Sequence, residues 1–141
     1  MISLLIPGRP RGKQRPRFNR ATGRAYTPQE TVSFEQRVQG EWIAAGRPRM
    51  ADGPLVATVR GVYQRPGSHL RVKGGLTAAG MRAPFPMPSV DLDNLAKAVL
   101  DSLNGLAYKD DRQIVHLTVC RRWAVDGESD HTYVHVREAK T

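Results

Sequence analysis

Cysteine is nearly absent: Cys120 stands alone among 141 residues. No internal disulfide can form and no thiolate metal cluster can be built, which suits a reducing cytoplasm. Long apolar runs are missing too. The opening Met1–Ile6 is apolar but stops at Pro7-Gly8, far short of the roughly 18–20 residues that span a bilayer. Its basic residues follow it rather than precede it, unlike a secretion signal. The expectation is a soluble, cytoplasmic chain with no membrane partner. No phosphate-cradling glycine loop appears, since Gly74-Gly75-Leu76-Thr77 lacks the Walker spacing. The four histidines show no transition-metal spacing, and His131 and His135 read as surface or edge residues of a strand. Acidic residues are also few: 13 Asp plus Glu stand against 22 Lys plus Arg, a net charge of +9. So basic a chain points to an anionic partner, nucleic acid first and an acidic membrane surface second.

What is present is ordinary globular material. Hydrophobic residues make up 40% and charged residues 25%, enough apolar content to argue against disorder. The length is that of a single domain, 1–141, with one core. The charge is unevenly placed. Arg9, Arg11, Lys13, Arg15, Arg17, Arg20 and Arg24 crowd the first 24 residues without a single acid. Residues 91–111 reverse the balance, with Asp91, Asp93, Asp101, Asp110 and Asp111 against Lys97 and Lys109. A purely electrostatic DNA binder gains nothing from clustered carboxylates, which repel phosphate. The cluster makes sense if a cation sits between carboxylate and phosphate.

Along the chain, residues 2–6 read as a strand. Residues 8–24, rich in Pro, Gly and Arg, read as an extended, exposed basic arm. Thr27-Pro28-Gln29-Glu30 predicts a helix start, with Thr27 as N-cap, Pro28 at the first helical position and Glu30 completing a capping box. Phe34, Val38 and Trp42 follow at four-residue spacing as a core stripe, and Gly46 and Pro48 end the helix. Leu55–Gln64 alternates as a strand. Residues 65–88 hold four prolines, four glycines, five basic side chains counting His69, and no acid. They predict a long mobile basic loop that orders on its partner. A second helix over 94–103 and strands over 114–125 and 132–137 complete the chain, the last two joined by a hairpin turn at Asp126–Asp130. The order β-α-β-loop-α-β-β predicts an α+β fold: a small mixed or antiparallel sheet with two main helices packed against it.

The chemistry concentrates in Asp91-Leu92-Asp93-Asn94-Leu95-Ala96-Lys97-Ala98-Val99-Leu100-Asp101-Ser102-Leu103, followed by Asp110-Asp111-Arg112-Gln113. At helical spacing Asp93, Lys97, Asp101 and Asn94 fall at about 0°, 40°, 80° and 100°. Leu95, Ala96, Val99, Leu100 and Leu103 occupy the opposite face. Asp93 is expected as N-cap, and Asp93–Lys97–Asp101 reads equally as ordinary i,i+4 charge pairing. Asp91, two residues earlier in extended chain, points the same way as Asp93. Such a pair repels itself unless a cation joins it. Asp110-Asp111, at a turn before the next strand, is expected to return to the same end of the sheet. Oxygen-only ligands with room for water and phosphate suit Mg²⁺.

These residues resemble the RusA family of Holliday junction resolvases of bacteria, their phages and prophages. The family pattern is D-x-D-N-L-x-K-x-x-x-D-x-L, then D-D-x-Q after a short loop. Gly12-Lys13-Gln14-Arg15-Pro16-Arg17 also resembles the family's basic opening. The likeness covers most of the chain and is least over 65–88, a stretch longer and richer in glycine than the family's compact form.

The resemblance implies a homodimeric, Mg²⁺-dependent endodeoxyribonuclease that resolves four-way DNA junctions by paired symmetric nicks in recombination and repair, with no small-molecule cofactor. It assigns Asp91, Asp93 and Asp111 to metal binding and Lys97 to catalysis, with Asp101 and Asp110 in support. Arg9, Arg11, Lys13, Arg15, Arg17, Arg71 and Lys73 are expected at the DNA. Two other classes stay open on the residues alone: a non-catalytic basic DNA-binding module, and a Mg²⁺-dependent nucleotide hydrolase.

Overall fold

The computed structural model describes residues 1–140. Its main sheet has four strands: β1 (Ile2–Pro7), β4 (Leu55–Tyr63), β5 (Ile114–Trp123) and β6 (His131–Glu138), in the spatial order β1-β6-β4-β5. β6 runs antiparallel to both β1 and β4, while β4 and β5 are parallel. Helices α1 (Gln29–Ala44) and α3 (Leu92–Leu103) cover one face. Two minor strands, β2 (Arg17–Asn19) and β3 (Arg24–Tyr26), form a separate ribbon, and α2 (Ala78–Met81) is a single turn. The fold is α+β with a mixed sheet, as the sequence predicts. Among the described residues no helix is long and apolar enough to cross a membrane.

The core follows the sequence periodicities. β1 buries Ile2, Leu4 and Ile6 and exposes the residues between them. β4 contributes Leu55, Ala57 and Val59, and β6 contributes Val134 and Val136. Against these, α1 lays Phe34, Val38 and Trp42, and α3 lays Leu95, Val99 and Leu103. Burying each large side chain contributes about 1.5–3 kcal/mol. The Trp42 indole also donates to the Pro48 carbonyl at 2.8 Å, fixing the chain just beyond the helix end at Gly46, whose φ is +92°.

Several expectations are corrected. Helix α1 begins at Gln29 with Pro28 in the cap position and no side-chain cap bond. Thr27 does not cap it, because the first turn is engaged elsewhere: Thr31 Oγ1 and Glu30 Oε2 accept from the backbone and side chain of Gln14. Strands β5 and β6 are not a hairpin. β4 lies between them, so residues 124–130 cross over its end. That crossing is clamped by Arg122, which pairs with both oxygens of Glu128, and by Asp130, whose Oδ1 accepts from the Gln64 backbone. Because β6 is an interior strand, His131 is buried rather than at an edge. The arm is not wholly extended, since it folds back as the β2–β3 ribbon. Residues 65–88 carry local structure: a 3₁₀ turn at Gly67–His69, the bridge Leu70–Leu76, and α2. Arg65 ties this stretch down through the carbonyls of Gly80 and Ala83, and Trp123 donates to the same Ala83 carbonyl at 2.7 Å.

The parallel β4–α3–β5 unit decides where the acids go. Helix α3 starts at the carboxyl end of β4 and runs back beside the sheet, so the segment entering β5 lies at the opposite end.

Candidate active site

Helix α3 begins at Leu92, two residues earlier than the sequence predicts. Asp91, not Asp93, holds the cap position, in extended backbone (φ −83°, ψ 162°). Its carboxylate accepts from the Asn94 side-chain amide at 2.5 Å rather than from a backbone N–H. Asp93 sits in the first turn, where the positive end of the helix dipole favours a carboxylate. Asp93 and Lys97 are exposed and Asp101 half-buried, while Leu95, Ala98, Val99 and Leu103 face the core. The polar and apolar faces of α3 are those the spacing predicts.

The arm lies across this helix. The Lys13 backbone N–H donates to the Asn94 carbonyl at 3.0 Å. Gly12 makes that approach possible: a Cβ there would overlap Val90 Cγ2 and stand 3.3 Å from Asn94 Cβ. Arg121 donates to the Val90 carbonyl at 2.6 Å and fixes the chain entering α3. The Lys13 ammonium reaches between the helices to Glu35 at 2.6 Å and Asp101 at 3.6 Å. The Glu35 hydrogen bond, aided by both negative charges, holds the Lys13 pKa above its ordinary value against the opposing effect of burial.

The result is a cleft of about 1150 Å³, lined on one wall by Arg9, Arg11, Lys13, Arg15 and Arg17, and on the other by Asp91, Asp93, Asn94, Lys97 and Asp101. The five basic arm residues expected at DNA thus meet two of the three expected metal acids and the expected lysine. Lys13 differs from the arginines because its charge is engaged by two carboxylates. Lys97 makes no ion pair among the described residues, so the expected Asp93–Lys97–Asp101 pairing is not formed and Asp101 is held by Lys13 instead. Arg71 and Lys73 lie in the turn of the 65–88 stretch, away from this lining.

Asp110 and Asp111 do not return to the same end of the sheet. They precede β5, near the far end of α3, where the Asp101 charge acts on Asp111. Asp110 caps the 3₁₀ turn Asp111–Gln113; the Arg112 backbone N–H bound to its carboxylate lowers its pKa. Burial, then the adjoining Asp110, then Asp101, raise the Asp111 pKa. Burial chiefly, with Asp111 and Asp101 adding, raises that of Tyr108, whose hydroxyl donates to the Leu100 carbonyl at 2.6 Å. A twelve-residue helix is about 18 Å long, and it separates Asp111 from Asp91 and Asp93. Among the described residues no three His, Cys, Asp or Glu side chains lie close enough to hold a metal ion together. The pair Asp91 and Asp93, as hard oxygen donors in an open cleft, still fits Mg²⁺, which takes one or two carboxylates and completes its shell with water and phosphate oxygens.

Sequence reasoning missed Glu35, Asn94 as an arm anchor, Arg121 and Gly12. Glu35 lies beside the core stripe of α1 with no local signal, since its partner is 22 residues away.

Residues 7–137 match the family described as Endodeoxyribonuclease RusA. Over 145 aligned residues the chain is 30% identical to the protein named "Uncharacterized protein YqaN" of Bacillus subtilis (strain 168), an alignment covering 97% of this chain and 96% of that one.

Proposed function

Because the chain belongs to the RusA endodeoxyribonuclease family, a family of nuclease hydrolases, we propose that it is a Mg²⁺-dependent, homodimeric endonuclease that resolves four-way DNA junctions by paired nicks. The observation carrying this reading is the cleft in which Asp91, Asp93 and Lys97 face the arginines of the arm. When bound between carboxylates and phosphate, Mg²⁺ would activate a water and stabilise charge on the scissile phosphate. Asp91 and Asp93 are the residues that would hold it.

The chain's own residues account for the rest. Arg9, Arg11, Arg15 and Arg17 hold the phosphate backbone across the cleft. Lys97, unpaired and one helical turn from Asp93, neutralises the phosphate as negative charge grows in the transition state. The products expected are a 5′ phosphate and a 3′ hydroxyl. Lys13 positions the arm instead of contacting phosphate. The basic stretch 65–88 adds a further DNA contact through Arg71 and Lys73, carried on a segment that Arg65 and Trp123 already hold in place.

Within one chain Asp111 cannot join Asp91 and Asp93, because α3 intervenes. A second copy related by a two-fold axis can bring the partner subunit's Asp111 to them, and the same axis makes two equivalent sites. The dimer is then part of the chemistry, and paired nicks follow from its symmetry.

The test is a substrate panel: a synthetic four-way junction, a replication-fork analogue, linear duplex and a nucleoside triphosphate, each with and without Mg²⁺. The reading expects Mg²⁺-dependent cleavage of the junction in preference to duplex. Cleavage of the nucleoside triphosphate alone would make the protein a nucleotide hydrolase. Junction binding without cleavage would make it a non-catalytic DNA-binding module.

A further inference from the structure

The β2–β3 ribbon stands apart from the body of the protein. Every residue from 15 to 27 is exposed, so neither face of the ribbon packs on the core. Yet the ribbon is held in shape by its own turn. Asn19 Oδ1 accepts from the backbones of Ala21 and Thr22, Gly23 donates to the Asn19 carbonyl at 2.8 Å, and Gly23 takes the left-handed φ of +68° that closes the turn. An isolated two-stranded ribbon is marginally stable in water, so a shaped one carrying exposed aromatics implies a partner.

The register gives its two faces different chemistry. Arg17 pairs with Tyr26 and Asn19 with Arg24, and these share one face. Phe18 pairs with Ala25 on the other. One face is therefore basic and the other presents a lone phenyl ring, 65% exposed, beside a methyl group. Arg20 sits at the turn, and no acid lies between residues 15 and 27. Arg15 and Arg17 continue directly into the lining of the cleft. The charge selects a polyanion, and the continuity selects the one that occupies the cleft. A ring on the uncharged side of a phosphate-binding ribbon is placed to meet bases, because apolar wedges insert at base steps that are already unstacked or easily unstacked.

We propose that the ribbon is a stacking wedge: Arg17, Arg20 and Arg24 hold backbone phosphates while Phe18 stacks on an unpaired base of the DNA, at a branch point or gap. This rests on the DNA-cleaving reading of the cleft and adds what reads the branch. Duplex arms, whose bases are stacked already, gain nothing from Phe18.

The experiment measures binding with Ca²⁺ in place of Mg²⁺, using a four-way junction carrying 2-aminopurine at the branch point, a gapped duplex carrying it at the gap, and an intact duplex. Wild type and Phe18→Trp should change the 2-aminopurine fluorescence on the first two. Phe18→Ala should lose that change and bind them about tenfold more weakly, as expected for one lost stack, with duplex affinity and thermal stability unaltered. Equal fluorescence changes in Phe18→Ala, or an equal loss of affinity on duplex, would overturn the wedge. Wild-type cleavage of the junction with a silent Phe18→Ala would remove the wedge and leave the nuclease. A Phe18-dependent signal in a protein that cleaves no DNA would do the reverse.

Discussion

Two inactive variants should restore each other. Asp91→Asn and Asp111→Asn each remove one acid, and each alone should be unable to cleave. In the chain they stand at opposite ends of α3, whose twelve residues span about 18 Å. If each site takes Asp91 from one protomer and the partner's Asp111, a mixed dimer has one site lacking both acids and one site intact. One of the two sites in each mixed dimer is live, so about half of wild-type sites return in a purified mixed dimer. The variants are co-expressed with different tags, and the mixed dimer is purified through both. A supercoiled plasmid extruding a cruciform reports the outcome. Wild type makes both nicks and linearises it, whereas the mixed dimer should accumulate nicked circles. A mixed dimer as inactive as its parents would refute the shared site. So would an Asp111→Asn variant active by itself.

Other outcomes follow from the same geometry. Lys97→Ala should lower the single-turnover rate without changing the Mg²⁺ concentration at half-maximal rate; a defect rescued by more metal would make Lys97 an organiser of the site. Arg15→Ala/Arg17→Ala should weaken junction and duplex binding alike and flatten the slope of log affinity against log salt by up to about two units, so an unchanged slope would take the arm out of the DNA interface. Lys13→Met should cost about 1–2 kcal/mol, because it leaves Glu35 and Asp101 facing each other half-buried without the cation. The Lys13 pKa is raised by folding, so its contribution is fully present below the ordinary lysine value of 10.5 and is lost as pH rises through the higher folded value. Thermal melts of wild type and variant should therefore differ at pH 7 and 9 by the same amount; a difference that vanishes by pH 9 would contradict the assignment.

What the sequence disclosed was what periodicity controls. The stripe Phe34, Val38 and Trp42, the two faces of α3, and the alternation in β4 are local patterns read at 3.6 or two residues per repeat. The crowding of Asp91, Asp93 and Lys97 with the arm arginines was foreshadowed by charge placement, since opposite charges at sequence-distant positions had a shared reason to meet. Strand order was hidden. Nothing local distinguishes a seven-residue link that crosses over β4 from one that closes a hairpin, and the parallel pairing of β4 with β5, which puts Asp111 at the far end of the sheet, was equally without a local signal. The ribbon was concealed because its strands have three residues each and bury nothing, leaving no hydrophobic alternation to detect. The cap of α1 was misassigned because Glu30 and Thr31 bind Gln14, a tertiary use of side chains that a local capping rule attributes to the helix itself.

The measurement closest to the central claim compares wild type and Asp93→Asn on one synthetic four-way junction, with binding followed in Ca²⁺ and cleavage in Mg²⁺. Loss of the Asp93 charge from the cleft should leave binding equal or tighter, because one carboxylate no longer repels phosphate, and should abolish cleavage. Cleavage by Asp93→Asn at the wild-type rate and Mg²⁺ concentration would contradict the assignment of this cleft as the nuclease site.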